Sequence, residues 1–320
     1  MRKAILLLLA LVSFFGCSRK EKVVIWTAEN DFVMEMYSSE LKKKFPQYDI
    51  SLEYMNTSNI AAKVLEEKDN CKCDMILSEE CAYLQMCSQY FAEPEGLDFS
   101  VFQDGLVPES HLFVPNLKNG GCIIINGKML RDKGLAIPES YSDLLKPEYK
   151  DLISMPSPTS SGTAYMFVLM LVNEWGEAEA FDYFSKLDKN ILQYTSSGSG
   201  ALNLLVKNEV AIALGMTSQA VFEKNSGKDL TIRFFKEGSP YSMCGNALMR
   251  KSKDKQSAKE VFGYMSTELT RKSCELFYPE RIYKDYAPVV KGFPEDIRYG
   301  NMAGDTIETK KRLLSKWSFS

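Results

Sequence analysis

Short apolar runs alternate with helical segments over the first part of the chain, and this alternation limits the fold more than any other feature. The run Val23–Thr27 is typical of a buried parallel strand, and two more strands are predicted at Ile50–Met55 and Asp74–Ser78. Amphipathic helices are predicted between them, at Phe32–Phe45 and Ser58–Lys68. We therefore expect a βαβαβ unit and an α/β fold.

Polar residues follow the predicted strands, at the end where such sheets bind ligands. Ligands of open α/β sheets lie beyond the carboxyl ends of the strands. We expect the residues at these positions to face one crevice: Thr27, Glu29, Asn30, Asp31, Thr57, Ser58, Ser78 and Glu79. Each of them alone is also typical of a solvated loop or a helix cap.

A second α/β unit is predicted from about Cys122 to Phe235, and the chain then returns to the first unit. Its strands are predicted at 122–125, Leu152–Met155, Ile191–Tyr194, Val210–Gly215 and Leu230–Phe235. Strand character resumes at Gly245–Arg250, and a packing helix is predicted near the end of the chain. This order predicts two lobes, the first built from residues 22–110 and 240–282 and the second from residues 111–239 and 283–320.

Two loops of small polar residues lead directly into apolar helices of the second unit. The first comprises Ser160, Ser161, Gly162 and Thr163, and the second comprises Thr195, Ser197, Gly198 and Ser199. Such residues are often ordinary caps. A helix N-terminus also offers unpaired N–H groups and a partial positive charge to an anion. Two loops of this kind in one half of the chain favour a shared site for a phosphate, phosphonate or carboxylate.

The first sixteen residues have the layout of an export signal. Basic residues precede an apolar run from Ala4 to Phe15, and Gly16 stands before Cys17. A small residue before a cysteine is typical of a bacterial lipoprotein signal. We therefore predict that residues 1–16 are removed and that Cys17 carries a lipid anchor on the periplasmic or outer face of the cell membrane. A plain cleaved signal and an uncleaved anchor are the alternatives.

The composition argues against several classes of function. A net charge of −3 without a basic stripe argues against nucleic-acid binding. A single histidine, His111, leaves little room for a catalytic triad, and the cysteines beyond Cys17 match no usual zinc spacing. No dinucleotide, phosphate-loop or nucleophile-elbow motif is complete. We expect a monomeric binding protein without metal or cofactor, and not an enzyme.

Several stretches together resemble the solute-binding proteins of bacterial ABC importers. They are the βαβαβ unit, Tyr141–Pro156, the loops at 160–163 and 193–199, and Asn208–Leu214. Within that superfamily the chain is similar to the branch of ferric-iron binders, which includes binders of 2-aminoethylphosphonate and hexose phosphates. The resemblance implies a two-lobed, type II periplasmic-binding-protein-like fold. It also implies a small solute bound in the interlobe cleft and delivered to permease subunits in the membrane.

The resemblance bears on the solute as well. Ferric binders of this branch typically carry two adjacent tyrosines after the strand equivalent to Val210–Gly215, whereas this chain has Met216–Gln219 there. Phosphate-binding members resemble it better in both loops, although they often carry a histidine where this chain has Ser196. The implied solute is a small anion, a phosphonate or sugar phosphate. Ferric iron is the alternative solute, and a secreted enzyme acting on a phosphorylated solute is the alternative function.

Three further residues are predicted to contact the solute because they lie near the crossovers between the lobes or after the strand that ends at Gly215. They are Gln219, Glu237 and Tyr241. The Glu237 carboxylate is expected to accept sugar hydroxyls or to pair with an amine, although an exposed loop acid is an equally good interpretation.

Overall fold

The computed structural model describes residues 20–319. Strands and helices alternate in it as the sequence predicts. The strands are β1 Glu21–Thr27, β2 Tyr48–Tyr54, β3 Met75–Glu80, β4 Phe91–Ala92, β5 Val114–Ile125, β6 Ile153–Pro156, β7 Ile191–Thr195, β8 Ile212–Met216, β9 Thr231–Arg233 and β10 Tyr241–Met249. The predicted signal at residues 1–16 and the predicted anchor Cys17 lie outside the described residues.

The helices between these strands are mostly short. They are α1 Asp31–Lys44, α2 Thr57–Glu67, α3 Cys81–Cys87, α4 Gly127–Asp132, α5 Gly162–Trp175, α6 Glu177–Leu187, α7 Gly200–Val206, α8 Thr217–Asn225, α9 Gln256–Tyr264, α10 Thr270–Leu276 and α11 Ile307–Leu314. A π-helical turn, Met265–Leu269, joins α9 to α10. No helix within residues 20–319 has the length and apolar character needed to cross a bilayer.

The strands pair in the order β2-β1-β3-β10-β5-β8-β6-β7, with β4 on β10 and β9 on β5. Strands β2, β1 and β3 are parallel, and so are β8, β6 and β7. Between these two parallel groups, β10 and β5 run antiparallel to their neighbours. The two parallel groups are the sheets of two lobes, and the fold is the two-lobed α/β fold of type II periplasmic binding proteins.

Strand β5 connects the two lobes and is much longer than the sequence indicated. The predicted strand covered residues 122–125, whereas β5 begins at Val114. Its first seven residues include Pro115, Asn116, Asn119 and Gly120, which are poor strand formers. That segment pairs with β10, while the rest of the strand pairs with β8 and β9. Pairing with these partners therefore outweighs the weak local preference of the segment.

Each lobe has its own hydrophobic core. Residues such as Val23, Ile25 and Leu77 pack with α1 and α9 in the first lobe. In the second lobe, Ile153 and Ile212 pack against α5 and α6. The ten residues 162–171 at the start of α5 are all buried. A helix that is apolar all round is buried on every side, so α5 presents its first turn to the interior of the molecule.

Candidate functional site

A cavity of about 60 Å³ lies where the carboxyl ends of β1, β2 and β3 face the first turn of α5. The predicted site residues that line it are Glu29, Asn30, Thr57, Ser78, Ser160, Ser161, Gly162, Thr163, Gly198 and Ser199. Asp31, exposed at the start of α1, does not line it. The structure therefore brings the two serine-rich loops and the first-lobe residues together at one place. Ligand sites of other proteins typically measure about 300–1,000 Å³, so this cavity suits a solute of few atoms.

One side of the cavity, which we call the hydroxyl wall, consists of Ser160–Thr163 and Gly198–Ser199. Ser161 is the N-cap residue of α5, yet its side chain accepts no hydrogen bond from the helix. Ser199 holds the same position before α7, also without a side-chain cap. A side chain at Gly198 would collide with Oγ1 of Thr163, so the two loops are in close contact. These hydroxyls are therefore not ordinary caps.

The two predicted helix N-termini are not equivalent. Helix α5 has 14 residues and begins at the cavity, whereas α7 has 7 residues. The first N–H groups of a helix have no partner inside the helix, and its dipole grows with the number of aligned peptide units. The electrostatic contribution to the cavity therefore comes from α5, and Gly198–Ser199 contributes polar groups without a substantial dipole.

Several predicted residues lie beside the cavity and support its walls. Thr195 donates its hydroxyl to the carbonyl of Ser197 at 3.1 Å. The Gln219 amide lies 3.4 Å from the carbonyl of Ser199. Thr27 accepts the N–H of Glu29 at 3.2 Å, and the Ser58 hydroxyl lies 3.5 Å from the carbonyl of Ser160.

Three predicted residues point elsewhere. Glu79 is buried and accepts the N–H of Glu80 at 3.0 Å; burial and the nearby charge of Glu80 raise the pKa of its carboxyl. Glu237 is buried outside the cavity. Burial raises the pKa of the neighbouring Tyr141, and the charge of Glu237 raises it further. The Tyr241 ring lies 4.1 Å from Nζ of Lys118 and not at the cavity.

The opposite side of the cavity, which we call the acidic wall, contains the carboxylates of Glu29 and Glu80. Tyr278 donates its hydroxyl to Oε2 of Glu29 at 2.7 Å, while Oε1 of Glu29 has no partner among residues 20–319. Burial raises the pKa of Glu29, and the hydrogen bond from Tyr278 opposes that shift. No lysine or arginine of the described chain lines the cavity.

The backbone at Ser78 is strained in the middle of the acidic wall. Its φ is 54°, in the left-handed region that a serine rarely adopts. The Asn246 side chain accepts the N–H of Ser78 at 3.0 Å, and Asn116 donates to its hydroxyl at 2.6 Å. Such strain costs about 1–3 kcal/mol and concentrates at functional sites. Ser78 is thus held firmly at the centre of the cavity wall.

Glu80 is held by a cation from a distant part of the chain. Its Oε1 pairs with Nζ of Lys310, which belongs to α11. The exposed fractions are 2% for Glu80 and 1% for Lys310. Asp305 lies close to this pair, and burial together with the charge of Glu80 raises its pKa to about 7. This buried ionic cluster lies directly behind the acidic wall.

Sequence reasoning missed about half of the residues that line the cavity. They are Ala28, Tyr54, Asn56, Glu80, Leu117, Asn119, Met216, Ser242, Cys244 and Tyr278. Tyr54 ends β2 and Asn56 follows it, so the rule of carboxyl strand ends would have found them. The residues on β5 and β10, and Tyr278, carry no local signal because strand pairing and packing bring them to the cavity.

The cysteines of the described chain belong to neither the hydroxyl wall nor the acidic wall. All seven cysteines in residues 20–319 are free thiols. Cys71 and Cys73 are buried with their sulfur atoms 3.4 Å apart. Cys244 lines the cavity, where burial raises the pKa of its thiol well above the usual value. It therefore contributes a neutral surface.

Comparison with known structures agrees with this architecture. The periplasmic binding protein P5PA superposes with a TM-score of 0.81 at 21% identity, covering 93% of this chain and 98% of that one. The periplasmic binding protein AfuA of Actinobacillus pleuropneumoniae, solved with fructose-6-phosphate, gives 0.82 at 21% identity with the same coverage. Iron-bound HitA of Pseudomonas aeruginosa gives 0.71 at 16% identity, covering 92% of this chain and 99% of that one. These likenesses establish the fold.

The sequence itself establishes the family. The profile described as bacterial extracellular solute-binding protein matches residues 92–299, which is more than half of the chain. The matched region includes β5, both serine-rich loops and β10. With its two lobes and the cavity between them, this chain belongs to the bacterial extracellular solute-binding proteins.

Proposed function

We propose that this solute-binding protein of an ABC importer captures a small solute carrying a phosphonyl, phosphoryl or carboxylate group. The observation that carries the proposal is the hydroxyl wall. Ser161 and Thr163 at the first turn of α5 meet Gly198 and Ser199 at one cavity, and neither Ser161 nor Ser199 caps its helix. Hydroxyls and N–H groups in this arrangement suit an anion.

The expected binding free energies are large enough for a solute-binding protein. A helix dipole contributes about 0.3–1 kcal/mol to a bound anion, and each hydrogen bond to a charged group contributes about 1.5–3 kcal/mol. A few such bonds approach the ~8 kcal/mol of a micromolar site. The small cavity favours a compact phosphonate over a hexose phosphate, which requires the lobes to move further apart. Delivery to membrane permease subunits follows from the family.

Calorimetry on the purified protein tests the anionic solute. We expect ethylphosphonate to bind, and we expect Thr163→Ala and Ser199→Ala each to weaken that binding by about 1.5–3 kcal/mol, the contribution of a hydrogen bond to a charged group. Ser140→Ala is the matched control, because Ser140 accepts the N–H of Asp143 far from the cavity. Full affinity in both variants would show that the anion lies elsewhere.

Ferric iron is the second candidate, and one observation favours it. Tyr54, Tyr278 and Glu29 line the same cavity, and ferric iron prefers hard oxygen donors of this kind. Tyr278 is already engaged, because it donates its hydroxyl to Glu29. A parallel titration with ferric citrate separates the two candidates. Tight iron binding that Tyr278→Phe abolishes and Thr163→Ala leaves unchanged would replace the phosphonate.

We also propose that the protein is anchored through a lipid on Cys17, since Gly16 and Cys17 end the apolar run of the export signal. The family implies export, but the anchor itself needs a test. A Cys17→Ala variant should lose incorporated fatty acid label and leave the membrane fraction. Retention of label on that variant would place the anchor at another residue.

A further inference from the structure

Glu80 presents one carboxylate oxygen to the cavity and the other to the protein interior. Oε1 pairs with Lys310, whereas Oε2 is buried and has no partner among residues 20–319. Oε2 lies against Gly162 at the start of α5, where any larger side chain would collide with it. The free oxygen therefore lies at the contact between the acidic wall and the hydroxyl wall.

Lys310 has no other acidic partner in the described chain. Its Nζ lies 4.1 Å from the ring centre of Tyr83 and 4.3 Å from that of Tyr165. Helix α11, which carries Lys310, packs against α3 of the first lobe and α5 of the second. Both aromatic rings fix the ammonium group from the sides, so the position of Lys310 decides which oxygen of Glu80 faces the cavity.

A buried oxygen without a donor is costly. Leaving a buried polar group unsatisfied costs about 1–3 kcal/mol, and native proteins keep few such groups outside functional sites. Glu29 Oε1, also buried and without a partner in residues 20–319, lines the same cavity. Two acceptor oxygens therefore face a cavity to which the described chain contributes no cation, and both are free to accept from a donor group of the solute.

We propose that Glu80 binds a hydrogen-bond donor of the solute, an ammonium or a hydroxyl group, and that Lys310 is the positioning residue that aims it. This inference rests on the proposed function, in which the first turn of α5 holds the anionic group. The anionic group and the donor group of one compact solute then lie close together, since Oε2 of Glu80 contacts Gly162 at the start of α5. Selectivity among anions of equal size would come from the acidic wall.

Three phosphonates of similar size test this inference by calorimetry: ethylphosphonate, 2-hydroxyethylphosphonate and 2-aminoethylphosphonate. The wild-type protein should bind at least one donor-bearing compound about tenfold or more tightly than ethylphosphonate, since a hydrogen bond to a charged group has about that effect. Glu80→Gln keeps an acceptor oxygen but removes the charge. It should therefore remove a preference for the amine and largely retain a preference for the hydroxyl, which distinguishes the two donors.

Lys310→Met tests the positioning role, because methionine keeps the packing between Tyr83 and Tyr165 while it releases Glu80. We expect the ratio of the affinity for the donor-bearing compound to that for ethylphosphonate to fall toward one. Lys255→Met is the matched control, since Lys255 pairs with the buried Asp74 at 2.8 Å away from the cavity. It should lower the melting temperature without altering the preference.

The outcomes are separable. Equal binding of all three phosphonates by the wild-type protein overturns this inference and leaves the proposed function standing. Binding of none of them overturns both. Equal weakening of all three by Lys310→Met means that Lys310 is only structural. If either single variant fails to fold, the Glu80→Gln/Lys310→Met double variant removes both charges together, and it must show no preference among the three compounds.

Discussion

The two walls of the cavity are built in opposite ways. The hydroxyl wall comes from two loops within forty residues of each other in the sequence, and its polar groups are neutral. The acidic wall combines β1, β3 and Tyr278, and its glutamate Glu80 depends on a lysine 230 residues away. A local loop can hold neutral hydroxyls, whereas a buried carboxylate needs a partner charge or donor from another element. The first wall therefore offers donors and the second wall offers acceptors.

Removal of the Glu80 side chain is the most severe way to test this difference. Glu80→Ala leaves the Lys310 ammonium buried without a partner in the described chain, and breaking a buried pair in this way costs about 3–5 kcal/mol. Thr163→Ala in the hydroxyl wall should cost much less stability. Urea denaturation measures both. Equal, small losses of stability in the two variants would show that the two walls are held by interactions of similar strength.

The contact between the walls can be tested with one methyl group. Gly162→Ala introduces a Cβ that collides with the Glu80 carboxylate, and overpacking of this kind costs about 1–3 kcal/mol. We expect the affinity for ethylphosphonate to fall by roughly 5- to 150-fold, because the walls no longer approach each other. Calorimetry gives the affinity directly.

Gly263→Ala is the control for that substitution. Gly263 lies in α9, and a Cβ there meets nothing within 4 Å. The variant should keep its affinity and gain up to about 1 kcal/mol of stability, since alanine favours the helix. An unchanged affinity in Gly162→Ala would mean that solute binds with the walls further apart.

The most gradual expected effect is a dependence of stability on pH behind the acidic wall. The pKa of Asp305 is raised from 3.8 to about 7, chiefly by burial and then by the charge of Glu80. The Asp305 carboxyl binds its proton more tightly in the folded protein than in the unfolded one. Its contribution to stability is therefore complete below the unfolded pKa of 3.8 and is lost as the pH rises through about 7. The contribution of Asp305 to the stability of the wild-type protein should therefore fall between about pH 4 and 7.

Asp305→Asn removes this titration. The difference in unfolding free energy between wild type and variant should change by less than about 1.4 kcal/mol per pH unit over that range. Denaturation at several pH values gives the slope. If that difference in unfolding free energy does not vary with pH, protonation of Asp305 does not contribute to the stability of the protein.

The regular part of the fold was predictable because it depends on local patterns. The helix predicted at Phe32–Phe45 is α1, and the strand predicted at Ile191–Tyr194 is β7. Apolar periodicity and small-residue loops determine such elements almost alone. The segment of β5 that pairs with β10 was missed, since its Pro115, Asn116 and Gly120 carry no strand signal and only that pairing makes it a strand.

The candidate site also has one part that local sequence patterns predict and one part that they do not. The hydroxyl wall was predicted from Ser160–Thr163, and the structure places those residues at the cavity. In the acidic wall, Glu79 was predicted and Glu80 was not. Side chains alternate along a strand, so Ser78 and Glu80 share a face that Glu79 does not; that signal was available in the sequence. No local signal indicates Lys310, because a distant ion pair arises only from tertiary packing.

The sequence distance between Glu80 and Lys310 affects how the folding chain completes the acidic wall. The two residues are 230 positions apart, so their pairing has the entropic cost of closing a very long loop and depends on earlier packing of the lobes. Contacts of this kind slow folding, because the entropy of closing the loop is lost before the contact forms. The counter-ion of Glu80 belongs to α11, so the acidic wall that we propose to bind the solute is complete only when α11 has packed against the rest of the protein.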